Sequence, residues 1–497
     1  MNVFFTAAST RILGVSLAAV ASVTLAAEHP IRLTVDFART NGVIRTLNGI
    51  NKGPLVPGGL IDLTDSQRAL APPFIRLHDC HWPNPDVVDI HAIFPNWEAD
   101  PELPESFDFA LTDEYIAAVR STGAGIIYRL GESIEHTTTK RFAHPPKDVK
   151  KWALITRGII RHYNRGWANG FQFNIRYWEI WNEPENRPAM WSGTDADYFL
   201  LYQTAAMVLK AEFPEIRIGG PAVGNTGELH GERLTPSAFV TNFLGVCRQQ
   251  SLPLDFFSWH CYTANPTELS ARAKGIRELL DRHGFFRTES HLNEWNFLPG
   301  NTWKPISRSA SPESRQEFQR QMCGAEGAAF VLTSLLELQD SRVDVCNLFH
   351  GETGGFGIFN EYGVPQKNYY ALRVFHFLLQ TPDRVESLGS VPGKLGLMAG
   401  LDLKGNRATI VLSSFASKAS DAQIEITGLP WSTPTLWNTQ WVDEHRSLES
   451  GGSGSYHAGD LRIRLAIRSP AIALISLSPA PLPDRAAVQS GVGCFSE

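Results

Sequence analysis

The sequence predicts an α/β protein that consists of a (β/α)8 TIM barrel and a small C-terminal antiparallel β-sandwich. Short apolar runs alternate with amphipathic stretches eight times, over roughly 330 residues, which is the size and rhythm of such a barrel. No G-x-G-x-x-G pattern follows the first run, which counts against a doubly wound sheet as the alternative. Beyond residue 384 the apolar pattern changes to a period of two, which is typical of antiparallel strands.

Eight runs are the predicted barrel strands, and they span residues 47–51, 74–78, 125–130, 177–181, 216–220, 256–259, 290–294 and 343–349. The stretches between them carry apolar residues at helical spacing, over residues 111–121, 147–163, 194–213, 236–249, 266–283, 311–340 and 369–379. Thr194 and Asp197 form a capping-box signature. Ser311 before Pro312 predicts the start of one long helix that runs towards Asp340.

Five short alternating runs after the barrel predict the sandwich, at residues 395–398, 408–412, 424–426, 461–465 and 472–475. Turns rich in Gly, Ser and Asn separate them, and residues 451–455 are interpreted as one such turn. The alternating run 31–36 precedes the barrel and is predicted to join the sandwich. The predicted division is a signal peptide (1–27), an N-terminal strand of the sandwich (28–40), the catalytic barrel (41–382), the sandwich (383–478) and a disordered tail (479–497).

Composition excludes several classes of protein. Hydrophobic residues make up 43% and charged residues 19% of the 497 residues, which is ordinary globular composition. The net charge is −6 and no long basic run occurs, so we expect no nucleic-acid partner. The six cysteines include no C-x-x-C pair, which is too little for a disulfide scaffold and leaves a structural zinc site without support. We expect neither a metal nor a cofactor.

The N-terminus resembles a secretory leader. Apolar or small residues run from Ile12 to Val23, after Arg11 and before Ala26 and Ala27. This is a short apolar region with small residues at a plausible cleavage point, and it predicts a secreted or periplasmic protein. An N-terminal tail without a targeting role is the alternative. The run is too short to span a bilayer, no later segment is apolar for long enough, and the sequence leaves the oligomeric state open.

Two glutamates stand at the ends of predicted strands, where the active site of a TIM barrel lies. Glu183 follows the fourth strand and Glu294 ends the seventh. These strands lie on opposite sides of the barrel, so we expect the two carboxyls to face each other across its mouth. Cleavage of a glycosidic bond needs two such carboxyls. Aromatic rings near these strand ends offer surfaces for sugars, namely Trp181, Trp259, Tyr262 and Trp295.

Several motifs carry a resemblance to a known family. Residues 178–185, W-E-I-W-N-E-P-E, are similar to the acid/base motif of the retaining clan-A glycoside hydrolases, and 293–295, N-E-W, resemble the nucleophile strand of that clan. Further matches follow in order along residues 48–379, at 51–55, 75–78, 257–262 and 354–367. The ordered set resembles glycoside hydrolase family 39, the family of β-xylosidases and α-L-iduronidases.

The resemblance implies a role for each matching residue. Glu183 would be the acid/base and Glu294 the nucleophile of a retaining enzyme that removes terminal sugars, first of all β-D-xylosyl groups, from oligosaccharides by double displacement. The residues expected to bind the sugar are His78, Asn182, His260, Tyr262, Trp295 and Glu352. The segment between Phe349 and Gly354 is shorter than in the family, and Glu132 and Glu135 make the third strand end more acidic. Both departures leave the sugar open.

Other functions stay open at this point. The same fold and mechanism can act on a β-galactoside, an α-L-arabinoside or an α-L-iduronide, and Lys52 is a candidate partner for the carboxylate of iduronide. A glycan-binding barrel without chemistry is disfavoured because both glutamates are retained. A metal-dependent hydrolase is disfavoured because the fourth and fifth strands lack His and Asp at their tips. For a retaining enzyme we expect a raised pKa at Glu183 and an ionised Glu294.

Overall fold

The computed structural model describes residues 30–83, 86–457 and 461–481. The predicted signal peptide (1–27), Cys494 and residues 482–497 of the predicted tail lie outside these ranges. The strands are β1 (Ile31–Val43), β2 (Gly49–Asn51), β3 (Phe74–Leu77), β4 (Gly125–Leu130), β5 (Tyr177–Ile180), β6 (Arg217–Val223), β7 (Gly227–His230), β8 (Arg233–Pro236), β9 (Phe256–Thr263), β10 (Glu289–Phe297), β11 (Val345–Leu348), β12 (Asp383–Leu388), β13 (Leu395–Asp402), β14 (Arg407–Ser414), β15 (Asp421–Thr427), β16 (Thr435–Val442), β17 (Ser447–Tyr456), β18 (Leu461–Ala466) and β19 (Ala471–Pro479).

The α-helices of the described residues are α1 (Thr64–Leu70), α2 (Ile90–Ile93), α3 (Ala110–Ser121), α4 (Val149–Arg165), α5 (Asp195–Glu212), α6 (Ala238–Gln249), α7 (Pro266–Arg282), α8 (Pro312–Cys323), α9 (Ala325–Glu337) and α10 (Lys367–Leu379). Short 3-10 turns lie at Pro104–Ser106, Trp167–Asn169, Pro299–Asn301, Lys304–Ile306 and Leu338–Asp340. Within the described ranges, no helix combines the length and the apolar character needed to cross a membrane.

The closed barrel confirms the predicted fold. Its strands follow the order β10-β11-β2-β3-β4-β5-β6-β9, and every neighbouring pair is parallel. All eight carboxyl ends therefore open at one face, where the loops carry the polar residues. The antiparallel hairpin of β7 and β8 is inserted after β6, and the apolar pattern did not predict it.

The helix starts agree with the capping signals, but one helix is broken. The capping box is confirmed, since Thr194 and Asp197 exchange hydrogen bonds. Ser311 accepts a hydrogen bond from the N–H of Ser314 over 3.2 Å, as expected of an N-cap. The prediction of one helix from 311 to 340 was wrong, because Gly324 adopts an extended conformation and separates α8 from α9. A Cβ at Gly327 would overlap a backbone oxygen of the preceding turn, so this break needs glycine.

The C-terminal strands form one hydrogen-bonded sheet of nine strands, in the order β17-β16-β19-β14-β13-β12-β1-β15-β18. The pairs are antiparallel except for the parallel pair of β1 and β15. The N-terminal strand β1 therefore lies inside the C-terminal module. Inward side chains from both halves of the sheet share one core. The opposite face packs on the barrel, through Met398, Val411, Val442, Ile472 and Leu474.

The interpretation of residues 451–455 as a turn was wrong. They lie within β17, an edge strand that, among the described residues, pairs with β16 alone. A Cβ at Gly454 would crowd the indole of Trp437, and one at Gly451 would collide with the indole of Trp441. Glycine in this strand therefore leaves room for two aromatic rings of the neighbouring strand.

Candidate active site

A cavity of about 670 Å3 opens at the carboxyl ends of the barrel strands. Five of the predicted site residues line it: His78, Asn182, Glu183, Tyr262 and Glu294. The other lining residues come mainly from the loops: Asp79, Ile134, His136, Glu185, Asn186, Met190, Gly224, Asn225, Trp303, Ile306, Phe349 and Phe356. Loops that follow strands far apart in sequence thus build one site, as is usual for this fold.

Glu183 is presented by a backbone of unusual conformation after β5. Trp181 and Glu183 both have positive φ angles, 69° and 43°, which are uncommon for residues other than glycine. Hydrogen bonds to the neighbouring strands hold this turn, from the N–H of Trp181 to Leu130 O (2.8 Å) and from the N–H of Glu183 to Ala222 O (3.0 Å). These hydrogen bonds therefore fix the backbone position from which the Glu183 side chain reaches the cavity.

Two hydrogen bonds orient the Glu183 carboxylate. Oε1 lies 2.8 Å from Nδ1 of His260, and Oε2 accepts a hydrogen bond from the Asn186 amide over 2.9 Å. A Cβ on Gly224 would lie about 2.5 Å from Oε1, so the bare glycine backbone makes room for this carboxylate.

The Glu294 carboxylate faces the same space and is 7% exposed. Its Oε1 accepts a hydrogen bond from the Tyr262 hydroxyl over 2.6 Å, and its Oε2 accepts one from Nη1 of Arg76 over 3.1 Å. One carboxylate oxygen of Glu183 and one of Glu294 lie within 4.8 Å of each other, and a nitrogen of His260 lies within that distance of both. The two carboxyls therefore flank one small space.

Arg76 on β3 is fully buried and joins the two sides of the site. Its Nε donates to Glu179 Oε2 over 2.7 Å, and its Nη2 donates to the Asn182 side-chain oxygen over 2.6 Å. Nη1 contacts Asn51 (3.2 Å) as well as Glu294. Arg76 belongs to the motif at residues 75–78 that resembles the family, but the sequence alone indicated no role for it. A usable signal was present, because a charged residue inside an apolar strand needs buried partners.

The pKa shifts of the two glutamates are opposite to the expectation. Burial raises the pKa of Glu183, but the hydrogen bond and the charge of His260, the hydrogen bond from Asn186 and the charge of Arg76 together outweigh burial, so this pKa lies below its ordinary value. Burial raises the pKa of Glu294; the charge of His260 opposes this and repulsion by Glu183 adds to it, and the pKa lies above its ordinary value. The difference arises because His260 contacts Glu183 directly, which the sequence did not show.

Lys52 and Glu352 form a buried pair beside the cavity. Nζ of Lys52 lies 3.4 Å from Oε2 of Glu352, and both residues are buried. Glu352 is not among the described residues that line the cavity, and its sugar-binding role stays a prediction. His78 does line it, and its ring lies between Nε of Arg129 (3.2 Å) and Asp79 (3.3 Å).

Trp295 does not line the cavity, and its expected binding role has no support in the geometry. Successive residues of a strand point to opposite faces, so Glu294 faces inward while Trp295 is fully buried and packs towards Phe330 of α9. Trp181 and Trp259 are also fully buried. The aromatic residue that sequence analysis missed is Trp303, in the loop after β10, which is 48% exposed and lines the cavity.

Two groups of side chains in the described residues bring three potential metal ligands together: Glu183, His260 and Glu294, and Asp86, Asp89 and His91. The members of the second group all have protein partners. Asp89 pairs with Arg129, Asp86 with His81, and His91 contacts Glu132 over 2.6 Å. These contacts account for the second group without an ion.

The chain is similar in sequence to known proteins. The model of the glycosyl hydrolases family 39 matches residues 90–381. The chain is 26% identical over 259 residues to a β-xylosidase of Geobacillus stearothermophilus, covering 47% of each protein. It is 27% identical over 260 residues to one of Caldicellulosiruptor saccharolyticus, covering 46% of each. The chain thus spans about half the length of the curated relatives that it matches.

Solved structures share the fold over nearly the whole chain. A glucosidase from Croceicoccus marinus has a TM-score of 0.76 at 24% identity, covering 91% of this chain and 100% of that one. A family 39 enzyme from Xanthomonas axonopodis pv. citri has a TM-score of 0.68 at 18% identity, covering 91% and 98%. At these sequence identities, the similarity to the two solved structures shows a shared fold alone. Because the family model matches more than half of the residues, the chain belongs to the glycosyl hydrolases of family 39.

Proposed function

We propose that this protein is a retaining glycosidase that removes terminal β-D-xylosyl groups from oligosaccharides. The observation that carries the proposal is the pair of glutamates at one cavity, with carboxylate oxygens within 4.8 Å of each other. Carboxyls about 5–5.5 Å apart suit a double displacement, whereas inverting enzymes hold them about 6.5–9.5 Å apart to leave room for water. Membership of family 39 supports glycoside hydrolysis independently.

In this mechanism the carboxylate of Glu294 attacks the anomeric carbon. At the same time Glu183, which shares a proton with His260, protonates the leaving oxygen. The Tyr262 hydroxyl and Arg76 hold the two oxygens of Glu294 in place. The glycosyl ester on Glu294 is then hydrolysed by a water molecule that gives its proton to Glu183. Esterification removes the negative charge of Glu294, so Glu183 no longer feels its repulsion and loses its proton more readily.

His260 supplies the proton that Glu183 needs. Burial lowers the pKa of His260, but the charges of Glu294 and Glu183 and the hydrogen bond to Glu183 outweigh burial and raise it. The catalytic proton is therefore shared over the 2.8 Å contact between the imidazole and the Glu183 carboxylate. The three groups titrate as one coupled set.

The charges around the cavity favour a neutral sugar over a uronic acid. Four carboxylate residues line it, Asp79, Glu183, Glu185 and Glu294, and the described lining residues include neither lysine nor arginine. Lys52, the candidate partner for iduronide, is already paired with Glu352. We therefore place β-xyloside first, ahead of β-galactoside and α-L-arabinoside, with α-L-iduronide last. The two curated relatives named above are both β-xylosidases.

A panel of chromogenic glycosides tests this function. We expect β-xyloside to be hydrolysed fastest, with and without a chelator, and NMR to show the β-anomer of xylose as the first product. First formation of the α-anomer would disprove retention. Loss of activity with the chelator would favour a metal-dependent hydrolase. Binding of xylo-oligosaccharides without hydrolysis of any glycoside would identify a binding protein.

We further propose that the protein is exported, on the basis of the leader-like residues 1–27. An exported xylosidase would act on oligosaccharides released from xylan outside the cytoplasm. Cell fractionation and N-terminal sequencing of the mature protein test this proposal. A protein that stays in the cytoplasm with an intact N-terminus would disprove it.

A further inference from the structure

Two large apolar side chains at the cavity mouth have no part in the mechanism above. Trp303 is 48% exposed and Ile306 is 44% exposed. Both lie in the loop between β10 and α8, and both line the cavity that contains Glu183 and Glu294. Single exposed apolar residues need no explanation, but neighbouring ones at the rim of a cavity are typical of a binding surface.

The Trp303 indole is held in place by two other rings. Its centroid lies 5.0 Å from that of Tyr262, with the planes at 66°, and 5.9 Å from that of Phe356, with the planes at 41°. These are ordinary aromatic contacts. Tyr262 in turn donates its hydroxyl hydrogen to Glu294. Trp303 therefore lies one ring farther from the nucleophile than Tyr262 does, with much of its surface open to solvent.

The cavity has the size of an ordinary ligand site. A volume of about 670 Å3 is in the middle of the range of about 300–1,000 Å3 for ligand sites. In a double displacement, the cleaved sugar occupies the space between the two glutamates. The outer part of the cavity, where Trp303 stands, remains for the group that leaves.

We propose that Trp303, supported by Phe356 and Ile306, forms a leaving-group subsite that binds a ring with an apolar face. The inference rests on the proposed function and names the second half of its substrate. Both the apolar face of a second sugar ring and an aryl group can stack on an indole. The subsite should therefore accelerate cleavage of substrates whose leaving group carries such a ring.

Three substrates with the same cleaved sugar test the subsite: β-xylosyl fluoride, xylobiose and an aryl β-xyloside. Fluoride offers no ring to Trp303. In the full-length Trp303→Ala variant, we expect the ratio of kcat/KM for xylobiose to that for the fluoride to fall about 10-fold or more. The same ratio for the aryl xyloside shows whether an aryl ring binds equally well. Trp303→Phe should restore most of each ratio, because it keeps an aromatic face.

Phe286→Ala is the matched control, since Phe286 is 72% exposed and precedes β10 at the amino end of the barrel strand. It should change neither ratio. Ratios that stay constant in Trp303→Ala, with kcat/KM for all three substrates falling together, would assign Trp303 a structural role and overturn the proposal.

If the wild-type protein hydrolyses none of the three, the proposed function fails separately from the subsite. In that case the binding of the aryl xyloside, measured by calorimetry, tests whether the subsite exists. A Kd at least about 10-fold weaker in Trp303→Ala supports it, and an equal Kd overturns it.

Discussion

Nδ1 of His260 lies 2.8 Å from Oε1 of Glu183, while Nε2 of the same ring lies 3.7 Å from Oε2 of Glu294. One imidazole thus stands between the two carboxyls to which we assign the proposed hydrolysis. Its charge lowers the pKa of each carboxyl below the value that burial alone would produce. This arrangement makes the pH dependence of the enzyme a property of three residues.

Replacing His260 by Gln should narrow the pH profile of kcat/KM, with each limb moving by about one unit. Without the imidazole, the pKa of Glu294 rises and the nucleophile ionises later, which moves the acidic limb up. Glutamine cannot hold the proton that His260 shares with Glu183 in the wild type, so the Glu183 carboxyl alone must hold it and the basic limb moves to lower pH. Profiles on an aryl xyloside measure both limbs. Movement of the acidic limb to lower pH, or of the basic limb to higher pH, would contradict this assignment.

The two glutamates should respond differently to replacement by alanine. Glu294→Ala should lower kcat on every substrate by on the order of 10^5-fold, and azide should restore activity with an inverted product. Glu183→Ala should lower kcat/KM about 10^2–10^4-fold for poor leaving groups, but only slightly for highly activated ones. Glu135→Ala, on the loop after β4, is the control. The reverse pattern would exchange the two roles.

Arg76→Ala should destabilise the protein by about 3–5 kcal/mol, because it leaves the buried carboxylates of Glu179 and Glu294 without their partner. Urea unfolding measures this free energy. The control is Arg407→Ala, which breaks the pair with Asp402 on the surface, where such pairs contribute about 0–1 kcal/mol. Equal effects of the two replacements would show that the buried network is not needed for stability.

Glu185→Gln should stabilise the protein at high pH. Burial, together with repulsion by Glu183, raises the pKa of Glu185 from 4.5 to about 7. A raised pKa means that stability is complete below pH 4.5 and declines as the pH rises towards 7, by on the order of 3 kcal/mol. Glutamine cannot ionise, so the variant should gain in Tm over the wild type at pH 8 and lose this gain at pH 4.

Glu135→Gln is the control for Glu185→Gln, because we expect its effect on stability to depend on pH in the opposite direction. Burial raises the pKa of Glu135, but hydrogen bonds from the backbone N–H groups of Ala143, Phe142 and Arg141 lower it to a net value below its ordinary one. Its contribution to stability is therefore present at neutral pH and lost as the pH falls. The variant should be less stable than the wild type at pH 7, with the difference shrinking in acid. Matching pH trends in the two variants would refute both assignments.

Leu474→Ala should destabilise the barrel and the C-terminal sheet together. Leu474 on β19 is 1% exposed and packs in the hydrophobic core that the sheet shares with the barrel, and cavities at such sites cost about 2–5 kcal/mol. We expect a single unfolding transition at lower temperature. Leu436→Ala, at a side chain that is 39% exposed, should cost far less. Two separate transitions would show that the modules unfold independently.

Much of the fold could be predicted because its signals are local. Apolar periodicity marked the eight barrel strands, and capping residues marked the starts of α5 and α8. The sequence did not predict the helix break at Gly324, because this break depends on how closely two backbone segments approach each other. The glycines of β17 predicted a turn, which was wrong. The space beside them is occupied by tryptophan rings of the neighbouring strand, and no local sequence pattern shows this.

The sequence by itself determined the order of the barrel strands and the placement of Glu183 just after β5 and of Glu294 on β10, because strand period and chain order are local properties. The predicted strand ended at Glu294, whereas β10 continues to Phe297. Only the tertiary structure decided the partners of these carboxyls: Arg76 and Tyr262 at Glu294, and His260 at Glu183. It also decided that Trp303, and not Trp295, reaches the cavity. The pKa of a buried group and the exposure of a ring depend on neighbours from distant strands, and those neighbours meet only when the barrel closes.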